Sequence, residues 1–149
     1  MTKPKFPIIT VYKDFPELVL SEIELEKSNA LAVLKLKNVK AYDAEGIKWR
    51  YDLKSEQVKN NFWTRLTANT FYNPTVQTQP IWTKMDSYTI EEIQVKLKEC
   101  INKDDDLLTQ FIGSEELIRA IDKAKDFKDL CSILQKLTID PLEYEEQKI

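Results

Sequence analysis

Hydrophobic and polar positions alternate in short runs along the first half of the chain and recur at helical spacing along the second. The first apolar run, Pro7-Ile8-Ile9-Thr10-Val11-Tyr12, is rich in β-branched and aromatic residues and predicts a strand. Asp14-Phe15-Pro16-Glu17 then has the form of a helix start: an Asp cap, a proline in the first turn and a Glu three residues after the cap. The helix predicted from it carries Phe15, Leu18 and Val19 on one side. Its end is open, because Glu22-Ile23-Glu24-Leu25-Glu26 alternates like a strand. Leu31 to Tyr42 and Ile47 to Leu53 predict the two strands of a hairpin. Between them, Asp43-Ala44-Glu45-Gly46 ends in the glycine that a left-handed turn position favours. In the second of these strands Trp49 and Tyr51 point to one face, Lys48, Arg50 and Asp52 to the other.

Ser55 to Tyr72 reads two ways. Val58, Phe62 and Leu66 stand four apart, as in a helix, whereas the Thr and aromatic content of 62–67 suits a strand; helix is preferred for 56–61 and the remainder left open. Asn73-Pro74 marks a turn, and Pro80 reduces Thr75 to Met85 to a loop or an edge strand. Beyond it the helical rhythm takes over. Thr89-Ile90-Glu91-Glu92 is a capping box followed by the stripe Ile90, Ile93, Leu97 and Ile101. A short helix is expected over 105–112, ended by Gly113; Ser114 is expected to cap a third helix and Asp126 a fourth. The tail after Pro141 is charged and expected to fray. These elements predict an α+β fold in a single domain, 1–149. It has an N-terminal antiparallel-rich small sheet with a short helix (1–85), a C-terminal cluster of three to four helices (86–138) and an acidic tail (139–149).

Composition narrows the chemistry. The 149 residues are 42% hydrophobic and 32% charged, ordinary for a globular chain that can bury its own core. Two glycines, Gly46 and Gly113, leave no room for most glycine-rich phosphate loops. Histidine is absent, which removes the commonest general base and every imidazole-dependent dyad or triad. Cys100 and Cys131 sit within apolar helical patterns and read as buried reduced thiols. Phe6 to Tyr12 is too short for a signal-peptide core, and no apolar run approaches the length of a spanning helix, so a cytoplasmic location is expected. Residues 1–79 carry 12 Lys/Arg against 9 Asp/Glu, residues 80–149 carry 10 against 16. An acidic C-terminal half argues against nucleic acid as the ligand and suits a basic protein partner, or a merely solvated surface.

Three sets of residues could serve recognition. Asp104-Asp105-Asp106 lacks the alternate spacing and central glycine of a calcium loop, so it reads as a favoured helix start or an acidic contact. Glu115 and Glu116 open the next helix and could extend the same acidic patch. Among the tryptophans, Trp49 reads as core, while Trp82, beside Pro80, is a candidate interface anchor. The expected partner-binding set is therefore Asp104, Asp105, Asp106, Glu115, Glu116 and Trp82, with no catalytic residue, metal or cofactor expected.

The segment Ala41-Tyr42-Asp43-Ala44-Glu45-Gly46-Ile47-Lys48-Trp49 resembles one found in bacterial immunity proteins of polymorphic-toxin and contact-dependent inhibition systems. There it follows an N-terminal strand and a short acidic helix, which here would be Ile8 to Tyr12 and Phe15 to Glu26. Asp104-Asp105-Asp106-Leu107-Leu108-Thr109-Gln110-Phe111 also resembles segments of such proteins. The resemblance touches about a third of the chain and implies a monomeric cytoplasmic inhibitor that binds a cognate toxin domain. A secretion chaperone or adaptor, acting as a homodimer with an apolar groove, is the alternative of another class. An enzyme would need a deep pocket holding an ionisable group with a strongly shifted pKa.

Overall fold

The computed structural model describes residues 3–58, 74–103 and 113–137. Its frame is an antiparallel five-stranded sheet in the order β2-β1-β4-β5-β7, made of β1 (Ile8–Tyr12), β2 (Phe15–Val19), β4 (Val39–Tyr42), β5 (Ile47–Lys54) and β7 (Gln79–Ser87). The apolar β1 run lies inside the sheet, where both faces are covered, and four of its five residues are buried. A second ladder pairs β3 (Lys27–Asn29) with β6 (Thr75–Gln77). Three longer helices follow among the described residues: α2 (Ile90–Asn102), α3 (Ser114–Lys123) and α4 (Phe127–Leu137). The α+β fold expected from the sequence is the one observed.

Two N-terminal expectations are corrected. The helix predicted from Asp14 is a β-hairpin arm: Lys13 takes a positive φ of 56°, the chain reverses, and Phe15 to Val19 pair with β1. Pro16 is admissible there because β2 is an edge strand. Only Glu22–Leu25 keeps a helical form, as a 3₁₀ turn. The strand predicted from Leu31 is divided. Asn29 accepts the Ala32 N–H at 2.7 Å and starts the short helix α1 (Ala30–Lys35); Asn38, at φ 58°, then redirects the chain into β4. Strand pairing thus outweighs a cap-like sequence at Asp14, and local capping outweighs strand-like content at Leu31.

The β4–β5 hairpin matches expectation from Val39 onward, with Gly46 at φ +84° in its turn. Of the helix preferred at 56–61, residues 56–58 form a turn instead, in which Ser55 Oγ accepts the Gln57 N–H and Gln57 Oε1 accepts the Gln77 N–H; the rest lies outside the described residues. Pro80 does mark an edge strand, β7. Thr89 caps α2 through the Glu92 N–H, and Asp126 Oδ1 accepts the Asp129 N–H at 2.8 Å ahead of α4. Ser114 is not a cap: it is the first residue of α3, and Gly113 holds the cap position in extended conformation (φ −65°, ψ 147°). That geometry also excludes a left-handed C-cap at Gly113. The helix expected at 105–112 and the tail at 139–149 lie outside the described residues.

Both sheet faces carry core. On one, Ile9, Val11 and Tyr42 pack with Ile93 and Leu97 of α2, Leu117 and Ile121 of α3 and Leu130 and Leu134 of α4. On the other, Val39, Tyr51 and Leu53 pack with Val33 and Val76, and Ile8, Ala41 and Trp49 pack with Phe6 and Leu25. The helix cluster takes its sheet residues from the β2–β1–β4 side. On β5 and β7 the same face carries the exposed residues Arg50, Lys54, Ile81 and Thr83, and the site described next lies there.

Candidate docking surface

A buried carboxylate fixes the geometry of the sheet's open half. Asp43 is 1% exposed. Its Oδ1 accepts the N–H groups of Glu45 and Ile47, both at 2.9 Å, and its Oδ2 accepts the Trp49 indole N–H at 2.8 Å and the Lys5 N–H at 3.4 Å. Its carbonyl accepts the Tyr88 hydroxyl. The side chain thus closes its own turn, orients Trp49 beneath the sheet, and through Tyr88 fixes the exit of β7. A buried charge is tolerated when its oxygens are filled in this way.

Register places the open face. Residues opposite one another across an antiparallel ladder share a face, so the pairs Val11↔Lys40, Lys40↔Arg50 and Arg50↔Thr83 put Lys40, Arg50 and Thr83 on the helix side. Asp52↔Ile81 and Lys54↔Gln79 lie on that side too. Lys40, Arg50, Lys54 and Thr83 are exposed, and Ile81 is 43% exposed although large and apolar. Lys48 is pinned: its ammonium meets Glu92 at 2.9 Å and Asp86 at 3.4 Å, and the hydrogen bond it donates to Glu92 raises its pKa. Asp52 accepts the Asn38 N–H. Lys40, Arg50, Lys54 and Lys84 make no ion pair among the described residues. On the helix side Lys40, Arg50 and Lys54 thus form a basic strip with one apolar side chain, Ile81, ending at the outer strand of the sheet, while Lys84 stands on the other face.

The residues singled out from sequence fall in different places. Glu115 and Glu116 are exposed in the first turn of α3, without an ion pair among the described residues. Asp104, Asp105 and Asp106 lie outside the described residues, as does Trp63. Trp82 is on β7, opposite Tyr51, and packs at ring-centroid distances of 4.9 Å from Tyr51 and 6.3 Å from both Trp49 and Phe6. It therefore belongs to the face opposite the helices, and the fold does not bring it together with Glu115 and Glu116. Its indole N–H is buried without a partner among the described residues. Trp49 is core, as expected.

Cys100 and Cys131 are free and buried. Burial pushes the Cys131 thiol up to about 12 and raises that of Cys100, the opposite of what a nucleophile requires. A cleft of about 540 Å³ opens at the start of β7, lined by Gln57, Gln77, Thr78, Gln79 and Ile81 with Lys54 at its rim. No described helix is long and apolar enough to cross a membrane. Sequence reading missed the basic strip because it weighed charge by halves of the chain. The signal was present in the alternation Lys48-Trp49-Arg50-Tyr51-Asp52-Leu53-Lys54, which fixes one dry and one wet face. Compared with protein-family models, curated proteins and solved structures, the chain matches none.

Proposed function

We propose that this chain is a non-catalytic protein-binding inhibitor: a cytoplasmic immunity protein that, as a monomer, neutralises a cognate bacterial toxin by forming a tight complex with it. The observation that carries the docking role is the half-sheet where an exposed Ile81 stands among cations that make no ion pair among the described residues, on a scaffold buried from its other side. Arginine, here Arg50, is enriched at protein interfaces, and an outer strand such as β7 can pair with a strand of a partner. The toxin as partner is supported by the resemblance of the Ala41–Trp49 segment. Glu115 and Glu116, with Asp104, Asp105 and Asp106, supply a second set of carboxylates suited to a basic toxin.

Co-expression tests the reading. The open reading frames adjoining this gene are induced one at a time in a sensitive host, with and without the chain. One of them should arrest growth, and the chain should relieve that arrest and co-purify with the product. If none is toxic, or no toxic product is relieved, the immunity reading is wrong.

A further inference from the structure

The outer edge of β7 has a specific pairing pattern. Pro80 pairs with Leu53, and a proline can occupy a ladder only where its missing N–H faces away from the neighbouring strand. Backbone groups alternate in direction along an antiparallel strand, so the N–H and C=O groups of Trp82 and Lys84 face outward together with the Pro80 carbonyl. None of them has a hydrogen-bond partner among the described residues. The ladder is regular from Gln79 to Lys84 and then bulges, since Trp49 pairs with Lys84 but Ile47 with Ser87. The regular edge is therefore six residues long, close to a typical strand; Gln79, Ile81, Thr83 and Lys84 are exposed, Trp82 is half-buried and Pro80 is buried.

Proline, an edge lysine and a bulge are devices that keep edge strands from pairing indiscriminately. Here they leave a selective edge. A strand laid against β7 meets Ile81 and Thr83 on the helix side and Lys84 on the other. Thr83 is small, and Arg50 stands directly behind it on β5. An incoming side chain opposite Thr83 thus reaches toward a guanidinium, and its neighbour in the strand stands opposite an ammonium. Apolar strands leave both cations without an ion pair, and basic strands are repelled.

We propose that β7 takes up, as an added antiparallel strand, an extended segment of a protein partner with carboxylates opposite Thr83 and Lys84 and an apolar side chain opposite Ile81. The proposal rests on the protein-binding reading above and names where and how the partner docks. Backbone bonds at Trp82 and Lys84 supply affinity, and the alternate side chains supply choice.

The test uses the full chain and a capped peptide, threonine-valine-glutamate-glutamate-threonine-valine-threonine, which sets its two glutamates opposite Lys84 and Thr83 and its second valine opposite Ile81. A control peptide carries lysine in place of both glutamates. Amide resonances of Trp82 and Lys84 should shift on titration, and their hydrogen exchange should slow. The lysine peptide should bind about tenfold more weakly or worse, because two cross-strand attractions become repulsions. The double variant R50E/K84E should reverse the preference. Lys84→Pro removes an outward donor while leaving the β5 ladder intact, so it should abolish the shifts with the urea midpoint nearly unchanged. No edge shifts with either peptide, equal binding of both, or shifts confined to α3 would overturn the proposal. So would a concentration-dependent dimer in light scattering that protects the same amides, because a second copy would then own the edge. Since no toxin enters this experiment, its failure removes the docking mode and leaves the growth-rescue result standing.

Discussion

Substituting Asp43 by alanine leaves three close donors without their acceptor: the N–H groups of Glu45 and Ile47 and the indole N–H of Trp49. Glu45 is exposed, so water can replace one bond; Ile47 is half-buried and Trp49 is 2% exposed, so the other two are lost to groups that water barely reaches. Hydrogen bonds to a charged acceptor contribute about 1.5–3 kcal/mol each, so the loss should total roughly 3–6 kcal/mol. That is a large part of the roughly 5–15 kcal/mol holding a domain of this size, and corresponds to a Tm lower by about 10–20 °C. Asp43→Asn should cost less. Its remaining oxygen still closes the turn, while its amide meets the Trp49 N–H donor to donor. Urea titrations followed by tryptophan fluorescence read both variants. A loss below about 1 kcal/mol for alanine, or equal losses for alanine and asparagine, would refute the assignment of Asp43 as the hub of this turn.

Other consequences follow from the same contacts. Trp82→Phe should be nearly neutral, within about 1 kcal/mol, because it removes a buried N–H that has no partner among the described residues; Trp82→Ala should cost about 3–4 kcal/mol through lost packing on Tyr51, Trp49 and Phe6. Paired urea curves separate the two. Gly46→Ala should cost about 1 kcal/mol for placing a Cβ at φ +84°, and little more, since that atom would meet only the Tyr88 carbonyl at 3.8 Å; thermal unfolding measures it. Burial holds both the Tyr51 phenol and the Cys131 thiol up to about 12. Unfolded, these groups ionise near about 10 and about 8.5, so above those values the folded chain binds more protons than the unfolded one. Their stabilisation is complete below about pH 8.5 and is lost as pH rises toward 12; urea midpoints should fall steadily through that window, and a flat profile to about pH 11 would contradict the burial of both groups.

The sequence made some elements legible and hid others for identifiable reasons. Thr89 and Asp126 cap helices as read, because in each case the helical stripe that follows agrees with the cap. The β4–β5 hairpin was legible from the alternation around Trp49 and Tyr51, and Gly46 from its turn. Asp14-Phe15-Pro16-Glu17 misled because a helix start and an edge-strand hairpin share those residue types; the difference lies in β1, which lacks a partner on that side unless β2 pairs with it. Leu31 to Leu36 looked like strand until Asn29 capped it. The docking surface was least legible. Which polar face of a sheet stays open depends on how far α2, α3 and α4 extend across it, and no local pattern reports that.

Titrating the chain into a fixed amount of the proposed toxin while following the toxin's activity separates a stoichiometric inhibitor from every other kind of protection. Activity should fall in proportion to added chain and vanish at one molecule for one, with association slowing as salt is raised. Complete protection at a small fraction of that ratio would mean turnover, and would contradict a role by docking alone; so would activity that persists with the chain in excess.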